Sequence, residues 1–407
     1  MNKISALIPL KYMAILLPPL LVTGSFLPDL VVSISSLFFI FYIIQNKIYF
    51  LFNNIIFKYL ILFYFIINFS SLLSDNILFS LRSSFPYFRF IIYSLLIYYL
   101  CIKFQNFQKF FYYSLLSTFL VLIFDGYLQY FNGENLQGYL ISPSSRLGGL
   151  FGDEKILGSY LARLFPLLLY FFFNIKKKTK LMNFFFFLIA ILIEVLVFLT
   201  GERGSFFLIT LSLIYLLVLI DKHRGIKFFL ILISFILIFI QVLTNEGLKN
   251  RMIKITYNDL SSSAFFSKIH EKFYFTAFEI YKNNKIFGSG PNTFRIECKK
   301  INIENQTCST HPHNTYIQLL SETGILGFST IFIIFLYLVF ISLKQFYYLM
   351  IKKNYLSDGE VALVLCFFIT LWPVIPSGNF FNNYMSIIYF LPLGFYLSTF
   401  KIVNDSN

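Results

Sequence analysis

Charged residues are scarce in this sequence. Asp, Glu, Lys and Arg make up 13% of its 407 residues, whereas soluble globular domains carry about 25%. Hydrophobic residues account for 57% of the chain, and aromatic residues for 21%. This composition excludes a soluble globular protein and indicates a chain that crosses a membrane several times.

The sequence also lacks internal repeats, coiled-coil heptads and low-complexity linkers. Nothing in its composition marks a domain boundary, so we predict a single polytopic membrane domain over residues 1–407. The net charge of +14 comes without a basic patch or a recognition motif for nucleic acid. We therefore expect membrane lipids, and no nucleic acid, among the partners of the protein.

Long hydrophobic segments fill most of the chain. A membrane-spanning helix needs about 20 mostly apolar residues, and about twelve segments approach this length. They lie at residues 5–24, 28–44, 56–72, 84–102, 110–131, 155–173, 182–200, 204–220, 226–243, 315–343, 359–375 and 382–400. The first segment has no small-residue cleavage signal, so we expect it to remain as a start-transfer helix. The pattern predicts an all-α integral membrane protein with about twelve transmembrane helices.

Lysines occupy alternate gaps between these segments, a distribution that marks the cytoplasmic side of membrane proteins. They are Lys3, Lys47, Lys103, Lys109, Lys176, Lys177, Lys178, Lys180, Lys222, Lys227, Lys344, Lys352, Lys353 and Lys401. Both termini are therefore predicted to lie in the cytoplasm. The longest break in hydrophobicity begins at Thr244 and predicts one large extracytoplasmic loop, residues 244–314, between helices 9 and 10.

Within this loop, apolar residues recur at a spacing compatible with an amphipathic helix from Ala264 to Asn283. The apolar positions are Phe265, Phe266, Ile269, Phe273, Phe275, Ala277, Phe278 and Ile280. We expect this helix to lie on the extracytoplasmic surface of the membrane.

Arginine is distributed differently from lysine. Of the eight arginines, only Arg224 lies in a predicted cytoplasmic gap. The other seven fall on the outer side or in the outer halves of helices: Arg82, Arg89, Arg146, Arg163, Arg203, Arg251 and Arg295. Arginine offers a rigid planar fork that binds phosphate in a bidentate manner. As a group these residues indicate a polyanion or diphosphate at the outer face, although any single one is equally compatible with a structural ion pair.

The most specific motif runs from His311 to Gly327. It places His311, His313 and Asn314 at the mouth of an apolar helix. The start of a helix presents unpaired backbone N–H groups and the positive end of the helix dipole, and histidine adds a base that titrates near neutral pH. Such a helix end is suited to a phosphate-bearing ligand at the membrane surface.

Cysteine is rare, with four residues in the chain. Cys101 and Cys366 lie in apolar segments, whereas Cys298 and Cys308 lie ten residues apart in the predicted outer loop. A pair outside the cytoplasm is most simply a local disulfide. A zinc site that adds the two histidines of the motif above is the alternative, but the spacing matches no zinc pattern, so we predict the disulfide and no metal.

Several stretches resemble the motifs of the O-antigen ligase and O-antigen polymerase superfamily of bacterial membrane glycosyltransferases. They are His313-Asn314-Thr315-Tyr316, Glu322-Thr323-Gly324-Ile325-Leu326-Gly327, Ile286-Phe287-Gly288-Ser289-Gly290 with Phe294-Arg295, and the turn Thr200-Gly201-Glu202-Arg203-Gly204. The helix plan with one large late outer loop extends the resemblance over nearly the whole chain. One position departs from the family: where ligases commonly place a second essential arginine, about eighteen residues before the Gly-x-Gly turn, this chain has His270.

The resemblance implies transfer of a glycan from undecaprenyl diphosphate to an acceptor hydroxyl at the outer, periplasmic face of the bacterial inner membrane. In the ligase branch, our first interpretation, the acceptor is a sugar of the lipid A core, and in the polymerase branch it is another lipid-linked glycan. Because the diphosphate is an activated leaving group, no nucleotide sugar, metal or other cofactor is implied.

A lipid-linked glycan flippase or exporter is a further alternative. It is disfavoured because the titratable residues and the arginines gather at one face of the membrane. The sequence also has no matching pair of interrupted helices in two halves, which many transporters use to build a site at the midplane.

Glycan transfer of this kind needs a base near the attacking hydroxyl and fixed cations on the departing diphosphate. His313 is the candidate base, because a helix N-terminus disfavours the protonated imidazole; a helix cap is its structural alternative. Arg203 is the candidate diphosphate clamp, with an interfacial anchor as its alternative. His270 completes the catalytic set, with a surface position as its alternative. Glu202 is an alternative base, and His311 is interpreted as a loop residue.

The candidate substrate-binding residues are Arg89, Arg163, Arg295, Asn314, Tyr316 and Glu202. Arg89 and Arg163 lie within helices, where a charge is costly and usually functional. They are also able to pair with a buried carboxylate such as Glu194. Glu322, two turns into an apolar helix, is interpreted as the partner of an arginine, with a place in the substrate pocket as its alternative.

Overall fold

The computed structural model describes residues 4–142, 146–222, 224–262, 267–301 and 308–399. Within these ranges the chain has no β-strand, only an isolated bridge between Glu134 and Leu140. The helices are α1 (Ile8–Ile15), α2 (Leu17–Leu20), α3 (Phe26–Asn46), α4 (Ile55–Leu72), α5 (Ile77–Ser84), α6 (Phe88–Lys103), α7 (Phe107–Asn132), α8 (Leu157–Phe173), α9 (Lys180–Leu199), α10 (Arg203–Leu219), α11 (Arg224–Thr244), α12 (Glu246–Lys249), α13 (Ile255–Ser262), α14 (Lys268–Asn283), α15 (Phe294–Glu297), α16 (Thr315–Met350), α17 (Asp358–Thr370) and α18 (Asn383–Thr399). The all-α fold class predicted from the sequence is confirmed.

Seven helical stretches in the described ranges are long and apolar enough to cross a membrane. They are Phe26–Asn46, Ile55–Leu72, Ile77–Lys103, Phe107–Asn132, Lys180–Leu199, Arg224–Thr244 and Thr315–Met350. The first helix pair, bent by 44°, adds an eighth if it is one span. Helices α8 and α10 are apolar but have 17 residues each, which is roughly 25 Å against the roughly 30 Å of a bilayer core. A total of about twelve spans therefore stays a prediction.

The apolar segments predicted from the sequence each overlap one of these helices or a pair of them. Five residues used in the sequence predictions lie outside the described residues: Lys3, Ala264, Phe265, Phe266 and Lys401.

Helix α8 lies inside the helix bundle. From Leu157 to Phe172 every side chain except Ser159 is buried, and the helix packs against α7, α9, α10, α17 and α18. A polar group on α8 therefore meets protein and not lipid. This placement encloses Arg163, the charged residue of α8, within the bundle.

The predicted outer loop is largely helical where it is described, with α12, a π-helical turn at Asn250–Lys254, α13, α14 and α15 in succession. Helix α14 lies where the sequence predicts an amphipathic helix. It buries three apolar side chains: Phe273, Ala277 and Ile280. Three others predicted on its apolar face are exposed: Ile269, Phe275 and Phe278. Because α14 packs on α16, only the side of α14 that meets α16 needs to be apolar.

Helix α16 is interrupted at Gly324, which has φ 64° and ψ −168°, a conformation that is essentially restricted to glycine. At this break the backbone of residues 285–290 pairs with α16, and Gly290 N donates to the Glu322 carbonyl oxygen at 2.8 Å. A Cβ atom on Gly324 would lie 2.3 Å from the carbonyl oxygen of Ile286. The two glycine-containing motifs of the sequence thus form one joint between the loop and α16.

Candidate active site

His313 precedes α16 in a left-handed backbone conformation, with φ 58°. Few residues other than glycine adopt this conformation, and such strain is concentrated at functional sites. Its Nε2 atom lies 3.1 Å from Ser309 Oγ. The next residue, Asn314, caps α16 because its Oδ1 accepts hydrogen bonds from Tyr316 N at 3.0 Å and Ile317 N at 3.1 Å. Helix α16 thus begins where the sequence predicts.

Three histidines come together at this helix start, and we name His270, His311 and His313 the histidine cluster. The ring centroids of His311 and His313 are 4.1 Å apart, and those of His270 and His313 are 5.8 Å apart. His270 comes from α14, whereas the other two come from the segment before α16. The residue that departs from the family pattern therefore contacts the candidate base.

Burial lowers the pKa of each imidazole in the histidine cluster. The pKa of His270 falls to about 4, with the nearby charges of His313 and Arg203 adding to burial. Burial, followed by the charge of His313, lowers the pKa of His311 to about 3, and burial lowers the pKa of His313. All three side chains are therefore neutral at pH 7. A neutral imidazole has one ring nitrogen that is able to accept a proton.

His311 is held by hydrogen bonds at both ring nitrogens. Its Nε2 donates to the carbonyl oxygen of Ser377 at 3.2 Å, and its Nδ1 lies 2.9 Å from the hydroxyl of Thr310. Because Nε2 carries the proton, Nδ1 accepts the hydrogen bond of the hydroxyl. His311 lies in the loop before α16, as expected from the sequence, and is 8% exposed, so it is a fixed part of the site.

The loop between α17 and α18 fixes the segment that carries the candidate base. Ser377 N donates to the carbonyl oxygen of His313 at 2.9 Å, while the carbonyl of Ser377 accepts from His311. Sequence reasoning missed this loop. Its signal was the polar stretch at residues 377–383, Ser-Gly-Asn-Phe-Phe-Asn-Asn, where the last gap meets the last apolar segment.

Three arginines from separate stretches of the chain approach one another beside the histidine cluster. Arg203, the first residue of α10, donates from Nη1 to Asp259 Oδ2 at 2.7 Å. The π-helical turn supplies Arg251, whose Nε donates at 2.7 Å to a backbone carbonyl in the turn before α10. Burial, and then the positive charges of Arg146 and Arg203, lower the pKa of Arg251. We name Arg146, Arg203 and Arg251 the cationic cluster; such a group attracts anions.

Glu202 fixes the start of α8 to the start of α10. Its carboxylate accepts hydrogen bonds from Gly158 N at 2.8 Å, Ser159 N at 3.1 Å and Ser205 Oγ at 2.8 Å. Burial raises the pKa of Glu202, and the hydrogen bond from Ser205 opposes this effect. Use of this carboxylate as a base would break bonds that hold the neighbouring Arg203 in place.

Glu322 organises the segment that carries Arg295. It is fully buried and accepts hydrogen bonds at 2.9 Å each from Asn292 N, Phe294 N and Gln318 Nε2. The hydrogen-bond donors to Glu322 are therefore amides, and the arginine expected from the sequence, Arg295, acts on Glu322 only through its positive charge. Asn292 Oδ1 in turn accepts from Arg295 Nη2 at 2.8 Å, so the buried carboxylate positions this arginine through Asn292.

A cavity of about 1160 Å³ opens beside these groups. Part of its lining is polar: Ser159, Arg295, Thr310, His311, Asn379 and Asn382. Another part is apolar: Pro19, Val22, Val121, Leu122 and Leu150. His311 is among these lining residues and His313 is not. The combination of a large apolar surface with a few placed polar groups suits a ligand that has a polar head and an apolar chain.

The two arginines predicted within helices differ in their surroundings. Arg163 is 6% exposed; its Nε donates to Ser159 Oγ at 3.3 Å, and its Nη1 has no hydrogen-bond partner among the described residues. Because Ser159 lines the cavity, Arg163 lies one helical turn along α8 from a residue of the cavity wall. Arg89 donates from Nη2 and Nε to Asp29 Oδ1 at 2.8 and 3.0 Å. The structural pair considered for Arg89 thus exists, with Asp29 in the place of Glu194.

Two further residues expected to bind substrate make hydrogen bonds to the protein backbone. The Tyr316 hydroxyl donates to the carbonyl oxygen of Leu371 at 2.6 Å, and the Tyr316 side chain is 5% exposed. Asn314 Nδ2 donates to the carbonyl oxygen of Pro373 at 2.7 Å. In this structure both side chains therefore fix α16 to the end of α17.

Cys298 and Cys308 are joined by a disulfide bond. The bond uses both sulfur atoms, so neither is available as a thiolate ligand for the zinc site considered as an alternative. The disulfide links the end of α15 to the segment that leads into the histidine cluster.

Residues 186–332 match the family model described as O-antigen ligase, in agreement with the superfamily recognised from the sequence motifs. The matched range contains Arg203, Arg251, His270, Arg295 and His313. No curated protein matches the chain.

Proposed function

Since residues 186–332 carry the O-antigen ligase domain, whose family members are glycosyltransferase-like enzymes, we propose that this protein is an O-antigen ligase. In this proposal it transfers a glycan from undecaprenyl diphosphate to a hydroxyl of the lipid A core at the periplasmic face of the bacterial inner membrane. The observation that carries the proposal is the proximity of Arg203, in the cationic cluster, to the neutral histidine cluster, since the positive charge of Arg203 acts on His270. One group suits a leaving diphosphate and the other suits an attacking hydroxyl.

The donor lipid is assigned to the 1160 Å³ cavity. Its apolar wall provides a surface for the polyprenyl chain, and Arg295 and His311 lie in its polar wall. Arg163, buried one turn along α8 from Ser159, adds positive charge to the same wall. Arginine forks bind phosphate oxygens in a bidentate manner, so the diphosphate is expected between this wall and Arg203.

The chemical step follows from these placements. The acceptor hydroxyl attacks the anomeric carbon of the donor glycan, and its proton passes to the neutral ring of His313. The bond between the anomeric carbon and the diphosphate oxygen breaks, and the electron pair stays on the leaving undecaprenyl diphosphate. Arg203 stabilises the charge that grows on this diphosphate. Because this leaving group is already activated, the proposal requires neither a cofactor nor a nucleotide sugar.

An O-antigen or polysaccharide polymerase of the same superfamily is the second candidate. The family match supports it equally, because the same base and clamp would serve a glycan hydroxyl on a second carrier lipid. A reconstituted system separates the two: the purified protein is supplied with a lipid-linked repeat, with and without lipid A core. Transfer only to core indicates a ligase, whereas a ladder on the carrier lipid indicates a polymerase.

The same experiment tests the enzyme proposal as a whole. Translocation of the lipid-linked glycan across the proteoliposome membrane, without transfer to either acceptor, would instead identify a flippase or exporter. The matched control is a His313→Ala variant with unchanged thermal unfolding. It should bind the donor without transferring the glycan, so transfer seen only with the wild type comes from this protein.

The proposal places both termini in the cytoplasm and residues 244–314 outside, within a single polytopic domain. Cysteine accessibility labelling at Asn250 and Lys353 tests this arrangement in intact cells. Labelling of the two positions from opposite sides of the membrane is expected. Labelling of both from the same side would place the site on the wrong face for a periplasmic acceptor.

A further inference from the structure

A second cavity, of about 600 Å³, lies at the other end of α9 and α10, away from the turn that carries Arg203. It is bounded by the segment before α9, the end of α10 and the start of α11. Four lysines line it: Lys176, Lys178, Lys222 and Lys227. At this end of the cavity the lining includes one carboxylate, Asp358. The mouth therefore carries an excess of positive charge.

Two of these lysines cap helices. Lys178 Nζ donates to the carbonyl oxygen of Phe173 at 3.2 Å, and Lys227 Nζ donates to the carbonyl oxygen of Leu216 at 3.0 Å. Within the described residues, Lys176 and Lys222 form neither a hydrogen bond nor an ion pair. Helix capping thus accounts for half of the positive charge at the mouth.

The lysines at the mouth oppose one another. Burial, and then the positive charge of Lys222, lower the pKa of Lys178, while Asp358 acts in the opposite sense. Like charges that lie this close raise the free energy of the protein by itself. An anion bound between Lys178 and Lys222 would relieve this repulsion.

Behind the mouth the cavity becomes apolar, with Phe172, Phe186, Leu216 and Ile231 in its lining. It extends to Glu194, which lies 14 residues along α9 from Lys180, a depth of roughly 21 Å. Glu194 Oε1 is buried and has no hydrogen-bond partner among the described residues. The cavity thus runs from a basic mouth into the hydrocarbon region, and its deep end holds an acceptor that a bound polar group or water is able to pair.

We propose that this cavity binds an anionic phospholipid, with its phosphate held by the four lysines and one acyl chain lying along the apolar wall. Basic pockets between transmembrane helices bind lipid headgroups of this kind, because the leaflet that faces the cytoplasm is rich in anionic lipid. The site is separate from the proposed glycan-transfer site. It is assigned to the opposite leaflet by the lysine distribution.

Lipid binding by the full-length protein in detergent, measured by native mass spectrometry, tests this site. The probe is phosphatidylglycerol, with phosphatidylcholine as the lipid of zero net charge. The double variant Lys176→Gln/Lys222→Gln removes two charges without removing either helix cap. It should bind phosphatidylglycerol about 10- to 30-fold more weakly, because each lysine near the membrane surface contributes a factor of about five to the affinity. Its affinity for phosphatidylcholine should not change.

The matched control is Lys352→Gln/Lys353→Gln, which removes two charges from a lysine gap that does not line the cavity. It should bind phosphatidylglycerol as the wild type does. If both double variants bound phosphatidylglycerol equally weakly, the lysines would act only by general attraction of anionic lipid, and the proposed site would be wrong.

A second variant, Ala190→Phe, fills the apolar wall and should also displace the lipid. Retention of phosphatidylglycerol in a folded Ala190→Phe protein would likewise contradict the proposal. Neither readout depends on glycan transfer.

Discussion

Arg203 Nη1 lies 2.7 Å from Asp259 Oδ2, and the two side chains are 21% and 26% exposed. The guanidinium proposed to bind a diphosphate is thus already in an ion pair with the protein. An ion pair that solvent reaches contributes little to stability, so Asp259 is more important as a competitor for Arg203. An anionic donor has to share or displace this carboxylate.

Substitution Arg203→Lys should reduce donor affinity by about 10- to 100-fold, the usual contribution of charged hydrogen bonds. The variant keeps the charge but loses the bidentate fork. Donor binding and transfer are measured in the same preparation. Arg224→Lys, at the start of α11 and paired with Asp221, is the control and should behave as the wild type. Normal donor affinity in Arg203→Lys would show that a point charge is sufficient.

Substitution Asp259→Asn should raise donor affinity severalfold, because it removes the negative charge that competes for Arg203 while the amide oxygen still accepts a hydrogen bond. The measurement is donor binding at low salt, where exposed charges are least screened. A loss of affinity as large as that of Arg203→Lys would mean that Asp259 positions the arginine and does not compete with the donor.

Substitution His313→Ala should slow transfer by a factor on the order of 100 to 10,000, the usual contribution of general acid–base catalysis. Donor binding should stay nearly intact, since the proposal assigns His313 to the acceptor hydroxyl. Comparable membrane levels and thermal unfolding are the controls. If transfer stays near normal, or donor binding falls as it does in Arg203→Lys, the base is another residue, with His270 and Glu202 next.

The pH dependence should follow the lowered pKa values of the histidine cluster. Burial lowers the pKa of His313, so transfer should be lost only at a pH below the ordinary histidine pKa of about 6.5. A transfer rate that falls by half near pH 6.5 would show that His313 titrates as an exposed histidine.

Thermal stability should change over the same range with a defined sign. At pH values between about 6.5 and the lowered pKa of about 4 for His270, the unfolded chain binds a proton that the folded protein excludes. The contribution of His270 to the free energy of unfolding is therefore fully present above pH 6.5 and is lost as the pH falls toward 4. His270→Asn should make the unfolding temperature less dependent on pH in this interval, and an unchanged slope would contradict the assignment.

Substitution Gly324→Ala should destabilise the protein by roughly 1–3 kcal/mol, because its φ of 64° strains any other residue. The added Cβ would also lie 2.3 Å from the carbonyl oxygen of Ile286. Thermal unfolding in detergent is the measurement. Gly225→Ala, whose Cβ would meet nothing within 4 Å, is the control and should have little effect. An equally stable Gly324→Ala protein would rule out the rigid joint between the loop and α16.

The features of the site that the sequence predicted are those formed by residues close together in the chain. Asn314 caps α16 through amides two and three residues further on, and such a local pattern is visible in the sequence. The spacing before the Gly-x-Gly turn identified His270 as well. Glu322 was predicted to pair with an arginine, but its hydrogen-bond partners are amides, and Arg295 acts on it only through its charge. An apolar helix pattern carries no information about the segment at residues 285–294 that packs beside it.

The sequence by itself determined the class of this protein. Apolar runs as long as a bilayer is thick have to form helices, since lipid offers no partner to unpaired backbone groups. The motif around His313 and the turn at Arg203 were also recognisable in the sequence, because each consists of a few consecutive residues. Only the tertiary structure decided which groups meet. Asp259 contacts Arg203 across 56 residues of sequence, and Ser377 contacts His311 across 66. Both contacts depend on how the helices pack, because an apolar helix surface determines which side is buried and not which polar groups meet.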